Sequence, residues 1–232
     1  MSIVIFSKDR PFQLYECLRS LIKYEVNGCK SQDIYVLVKL TEVERERYET
    51  VEKSFPSVRF VKEGESFEKD LQEILKECSN AKTIMFTVDD AFFYRNFSLS
   101  ECANLLERRK DVYSVHLKLS SRIDYCHPAQ KNVKVPTLHK DSTFMIFDRS
   151  EGTMDWNYPW DLAGSVYRTS LSREHLRLHH SNHKNITCIT RKNYSNHQRS
   201  NINSPTVSLE RRYIRRTQNV SRVELDVRHV SM

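Results

Sequence analysis

The sequence predicts an α/β fold: a mostly parallel central sheet with helices on both faces, followed by a poorly ordered C-terminal tail. Three observations predict it. Short apolar runs alternate with stretches of helical periodicity along the first two thirds of the chain. Those runs are apolar at consecutive positions, as in strands buried on both faces by helices. The charge also changes character near residue 172. Residues 1–172 hold 25 basic and 26 acidic side chains, whereas residues 173–232 hold 12 and 4.

The elements follow in order. Residues 2–6 (Ser-Ile-Val-Ile-Phe) read as a buried strand, and Pro11 suits the first turn of a helix. Leu14, Cys17, Leu18, Leu21 and Ile22 recur at the spacing of one helical face. Residues 34–40 form a second β-branched and apolar run, 42–54 are charged and helix-prone, and 58–61 give a short third strand. Phe67, Leu71, Ile74 and Leu75 mark another helical face, and residues 83–88 a fourth strand. Ser98 or Ser100 can cap a helix carrying Leu99, Cys102, Ala103, Leu105 and Leu106. Strands are expected at 112–119 and 143–147. The domain therefore spans residues 1–172. The remaining 173–232 carry six of the nine histidines, many Asn and Ser, and too few long apolar side chains to offset chain entropy.

Composition also excludes. Gly28, Gly64, Gly152 and Gly164 lie too far apart for a Rossmann dinucleotide fingerprint or a P-loop, both of which need clustered glycines. No apolar run approaches the roughly 20 residues of a membrane-spanning helix. The first apolar run ends at Lys8-Asp9-Arg10, the reverse of a signal peptide's order, so the expected location is cytoplasmic or peripheral to a membrane. Six cysteines without a C-x-x-C pair are expected to be reduced, with Cys17 and Cys102 as core thiols. His179, His180, His183 and Cys188 match zinc-ligand spacing only loosely. The net charge of +7 belongs to the tail, so it is no argument for a nucleic-acid partner of the domain itself.

In sheets of this class ligands bind outside the carboxyl ends of the strands. Three clusters stand where such a site is expected. After the first strand comes Ser7-Lys8-Asp9-Arg10-Pro11, where helix-start N–H groups and two cations suit an anion or merely cap the helix. After the fourth comes Asp89-Asp90, which suits a Mg²⁺ or Mn²⁺ ion completed by substrate phosphates, or a polar turn. Farther on, Asp155-Trp156-Asn157-Tyr158-Pro159-Trp160-Asp161 gathers both tryptophans beside two carboxylates, suited to sugar stacking and acid/base work or to core packing. Arg168 follows, to pair with phosphate or with a surface carboxylate.

The opening Ile3-Val4-Ile5-Phe6-Ser7-Lys8-Asp9-Arg10-Pro11-Phe12-Gln13-Leu14, then Cys17-Leu18-Arg19-Ser20-Leu21, resembles the start of family-2-like glycosyltransferases. Residues 83–93 resemble the strand and acidic metal motif of the same GT-A fold, and Met154 to Arg168 a region downstream in a subset of these proteins. The resemblance covers about residues 2–172. It implies a GT-A Rossmann-like sandwich and a metal-dependent, hexosyltransferase-type enzyme. The enzyme would move a sugar from a nucleotide-sugar donor to an acceptor (saccharide, lipid or protein) by an inverting displacement.

Carried onto this sequence, it gives Asp89 and Asp90 to a Mn²⁺ or Mg²⁺ ion. Ser7, Lys8, Asp9, Arg10, Asp89, Trp156 and Arg168 fall to the nucleotide-sugar, and Asp161, with Asp155 second, to the catalytic base. Two positions depart from the pattern. Only Glu42 stands near the end of the second strand, where relatives place a nucleobase-binding acid, and Ala91 replaces a third acid that some relatives carry. Two other readings follow from these departures and from the tail: a catalytically impaired binding module that keeps the fold, and nucleic-acid binding through residues 173–232.

Overall fold

A computed structural model describes residues 1–26, 33–158 and 160–173, together with the backbone of 221–225. Strands β1 (Ser2–Lys8), β2 (Asp33–Lys39), β3 (Arg59–Lys62) and β4 (Thr83–Val88) lie side by side in the order β3-β2-β1-β4, all parallel. Helices α1 (Pro11–Tyr24), α2 (Arg45–Ser54) and α3 (Phe67–Glu77) connect them. The expected sandwich is therefore observed, with boundaries within a few residues of those read from the sequence.

Beyond β4 the sheet is mixed. β10 (Ser165–Arg168) inserts antiparallel between β4 and β5 (Val112–His116), the latter reached from β4 through α4 (Leu99–Arg108). A short hairpin of β6 (Tyr125–Cys126) and β7 (Lys131–Asn132) stands apart, and β8 (His139–Asp141) pairs with β9 (Phe144–Asp148).

Burial on both faces explains the continuous apolar runs. Ile3, Ile5, Val36 and Val38 pack with Leu14, Cys17 and Leu18 of α1, Tyr48 and Val51 of α2, and Leu99, Cys102 and Leu105 of α4. The alternate residues Val4, Phe6, Tyr35 and Leu37 face Leu71, Ile74 and Leu75 of α3, with Trp160 and Tyr167. Each such fully buried large side chain contributes roughly 1.5–3 kcal/mol of transfer free energy. Ser98, rather than Ser100, is the cap of α4, accepting from the Glu101 N–H at 3.2 Å. Ile22 departs from its expected place: it lies 41% exposed at the margin of the α1 stripe.

Cys17, Cys78, Cys102 and Cys126 are free and buried, so Cys17 and Cys102 are core thiols as expected. Burial pushes the Cys17 thiol up to about 12, with Asp89 and Asp90 adding to it.

Of the tail, the backbone of Ser221–Leu225 forms β11, parallel to β5 and antiparallel to β9. These five residues thus add a strand to the sheet. The remainder of 174–232, with the histidine and Cys188 cluster and any nucleic-acid role, lies outside the described residues.

Candidate functional site

Because β1, β4 and β5 are parallel, their carboxyl ends share one edge of the sheet. Asp89 follows β4 directly, and its N–H donates to the Phe6 carbonyl of β1 at 3.0 Å. Its side chain is buried against the loop after β1. Oδ2 accepts from the Ser7 hydroxyl at 2.9 Å and the Lys8 N–H at 3.1 Å, while Oδ1 lies 3.6 Å from Arg10 Nη1. Burial raises the Asp89 carboxyl above its ordinary value, outweighing the Lys8, Ser7 and Arg10 interactions that favour the anion.

A residue not singled out in the sequence completes this network. Tyr48 of α2 is buried; its hydroxyl accepts from the Arg10 N–H at 2.9 Å and sits 2.7 Å from Ser7 Oγ. Ser7 gives its one proton to Asp89, so Tyr48 donates to Ser7. The result is a chain from the Arg10 amide through Tyr48 and Ser7 to Asp89, whose members polarise one another. Pro11 at the start of α1 fixes the turn from which it hangs.

Asp9 takes φ of +51°, and its Oδ1 accepts from the Thr41 N–H at 2.8 Å. Its carboxylate thereby ties the ends of β1 and β2 together. Lys8 is exposed beside it. Glu42 is ion-paired with Arg45 at 2.6 Å on the surface.

Asp90 is 57% exposed along its side chain and accepts from Arg10 Nη1 at 2.8 Å. The two strand-end carboxylates therefore share one guanidinium. As donors they are hard oxygens, the right chemistry for Mg²⁺ or Mn²⁺. Among the described residues no group of three or more His, Cys, Asp or Glu side chains is placed to hold a metal. Asp89 and Asp90 consequently supply only part of a divalent cation's oxygen shell, the rest falling to water or to a ligand.

The third cluster does not stay together. Trp156 is fully buried against Phe147 (ring centroids 4.9 Å, edge-on), and its indole N–H donates to the Ile123 carbonyl at 2.8 Å. It has no exposed face for a sugar, so the expected stacking role is corrected to a core role. Gly152 permits this packing, since a Cβ there would stand 2.5 Å from that of Trp156. Arg168 is corrected too. It pairs in register with Thr83 at the start of β4, on the edge opposite Asp89. Its guanidinium donates to the carbonyls of Leu106, Arg109 and Val112 at 2.5–3.1 Å, capping the end of α4 rather than meeting a phosphate.

Asp161 does lie on the functional edge, beside the end of β5. Its backbone N–H and carbonyl both bond the Tyr167 hydroxyl at 2.8 Å. Its buried carboxylate meets Lys118 Nζ at 2.7 Å and His116 Nδ1 at 3.6 Å. Burial alone would raise its pKa; His116 and Lys118 more than offset that and hold it well below the usual carboxylate range. His116 is itself buried between Ser114 Oγ and Ser165 Oγ, each 2.9 Å away. Neither His116 nor Lys118 was singled out in the sequence, although the strand-end rule that found Asp89 applies equally to the end of β5.

Beyond Lys118 a cavity of about 370 Å³ opens between residues 118–128 and Asp155. Asp155 thus reaches the same region as Asp161 but lines open space.

Residues of this chain are 34% identical to the bifunctional glycosyltransferase pgtA of Dictyostelium discoideum over 181 positions, 72% of the chain. The chain is similar to part of a glycosyltransferase. It spans 23% of that relative's length. No protein-family model matches. Among solved structures, S. aureus TarS 1-349 in complex with UDP-GlcNAc overlaps at a TM-score of 0.48, with 13% identity, over 75% of this chain and 46% of that one. A mannosyltransferase of Pyrobaculum calidifontis, in complex with GDP-Man and Mn²⁺, overlaps at 0.37 with 14% identity, over 52% and 36%. Among the described residues no helix is long and apolar enough to cross a membrane.

Proposed function

We propose that this chain is a glycosyltransferase domain that moves a sugar from a nucleotide-diphosphate donor to an acceptor hydroxyl. One observation carries the reading: the loop after β1 and the acids after β4 are joined by the Ser7–Asp89 hydrogen bond at the carboxyl edge of the sheet. The 34% identity to a glycosyltransferase supports it.

In this reading the donor diphosphate lies across the Ser7–Arg10 turn, against Arg10. Asp89 and Asp90 would hold a Mn²⁺ or Mg²⁺ ion together with diphosphate oxygens. When bound, the ion neutralises charge on the departing diphosphate. The Ser7, Lys8 and Tyr48 hydrogen bonds hold Asp89 in one position, so little reorganisation is needed.

The acceptor hydroxyl oxygen bonds to the anomeric carbon. The bond from that carbon to the diphosphate breaks, and its electron pair leaves with the nucleoside diphosphate. The acceptor proton passes to a carboxylate. Asp155 is assigned this role because it lines the cavity. Asp161, buried and pinned by Lys118 with a depressed pKa, is a weak proton acceptor and serves instead to fix Lys118 and His116. That reverses the order of preference drawn from the sequence.

The test is release of nucleoside diphosphate from a panel of nucleotide-sugars by the full chain. Metal-dependent turnover that falls at least 100-fold in Asp90→Asn is expected. Well-folded protein that turns over no donor while still binding nucleoside diphosphate would favour the impaired binding module.

A further inference from the structure

We infer that the cavity beyond β5 is a binding site for a neutral saccharide, the acceptor of the proposed transfer. The inference rests on the transferase reading, because it gives that reaction its second substrate.

The cavity's size comes first. Its 370 Å³ falls within the span of about 300–1,000 Å³ typical of small-molecule sites. Position follows from the sheet. β10 alone separates β4 from β5, and Phe86 and His116 both pair with Ser165. Two inter-strand spacings therefore set β4, which Asp89 follows, roughly 10 Å from β5, which Lys118 follows. That is a fitting separation for a sugar bridging a diphosphate and an acceptor.

The lining decides the class of ligand. Lys118 and Arg122 are met by Asp124 and Asp155, so the lining has no excess of cations to draw an anion. Lys118 is further neutralised by Asp161 at 2.7 Å. The Arg122 guanidinium and the Asp124 carboxylate have no partner among the described residues, which leaves a donor fork and an acceptor pair open to hydroxyls. Tyr125 and His127, edge-on at 5.0 Å, add aromatic surface for the C–H face of a sugar ring. A balanced set of open donors and acceptors beside aromatic rings matches a neutral polyol, whereas an anionic lipid headgroup would need uncompensated cations.

The walls are built before any ligand arrives. The Val133 N–H donates to the Asp124 carbonyl at 2.7 Å, and the Tyr125 hydroxyl to Gln130 Oε1 at 3.1 Å. Trp156 holds the Ile123 carbonyl from below. The site is thus set on the hairpin of β6 and β7 and on a small core of its own.

The test uses the full chain and a panel of neutral methyl glycosides, observed by saturation-transfer difference NMR, with nucleoside diphosphate affinity measured in parallel. At least one glycoside binds; Tyr125→Ala and the isosteric Asp124→Asn each weaken it at least tenfold; nucleoside diphosphate affinity stays within twofold. If no glycoside binds while nucleoside diphosphate does, the cavity inference falls and the transferase reading stands. Glycoside binding unchanged in both variants, or binding only of peptides or anionic lipid, overturns it as well. Glycoside binding lost in both variants in a chain that binds no nucleoside diphosphate would keep the cavity and remove the transferase.

Discussion

Ser7 Oγ, at the end of β1, donates to Asp89 Oδ2, one residue past β4, across 2.9 Å. Eighty-two residues of chain separate them, and the parallel register of β1 with β4 brings them together. A sheet edge therefore becomes a site: one strand supplies the acid, and its neighbour supplies the hydroxyl and amide that aim it.

Arg10 bridges Asp89 and Asp90 and so competes with a cation for the same oxygens. Arg10→Gln is expected to bind Mn²⁺ at least tenfold more tightly in the absence of nucleotide, while losing affinity for nucleoside diphosphate. Electron paramagnetic resonance of free Mn²⁺ reads the first effect, and calorimetry the second.

Asp161 sets an acid limit to stability. Its pKa is lowered in the folded chain, so its contribution is present above the unfolded value of about 4 and is lost as pH falls through the folded one. Urea denaturation of the wild type should therefore show stability falling below about pH 4. Asp161→Asn should be less stable at pH 7 and show a flatter acid limb. Equal slopes in the two proteins would contradict the Lys118–His116 clamp.

Trp156 is core. Trp156→Phe removes the donor to the Ile123 carbonyl and part of the packing on Phe147, and should cost about 2–4 kcal/mol in equilibrium unfolding. Nucleoside diphosphate affinity should stay within twofold, where a stacking residue would lose tenfold or more.

Arg168 caps a helix. Arg168→Lys replaces the planar fork that spans the carbonyls of Leu106, Arg109 and Val112 by a single ammonium, and should cost about 1–3 kcal/mol. Binding of nucleoside diphosphate should not change.

Much of this was legible in the sequence. The α/β order showed in residues 2–6 and 83–88, because strands covered on both faces are apolar at nearly consecutive positions. The strand-end rule then pointed to Ser7–Arg10 and to Asp89 and Asp90. What stayed hidden depends on register. Tyr48 is one tyrosine in a charged helix until α2 packs its hydroxyl over Ser7 and the Arg10 amide. Arg168 sits in a site-like stretch, yet β10 runs antiparallel and carries it to the far edge, a reversal that no residue pattern announces. Trp156 and Asp155 are neighbours in sequence, but a 3₁₀ turn over Met154–Asn157 points one into the core and leaves the other lining the cavity.

The central claim is that the joined ends of β1 and β4 hold a nucleoside diphosphate. Isothermal titration of the full chain with nucleoside diphosphates, with and without Mn²⁺, tests it most directly when repeated on Asp89→Asn and Asp90→Asn. The account predicts micromolar binding that Mn²⁺ strengthens and that each substitution weakens at least tenfold, in chains whose unfolding midpoints match the wild type. Binding of equal strength in the wild type and in both variants would contradict it.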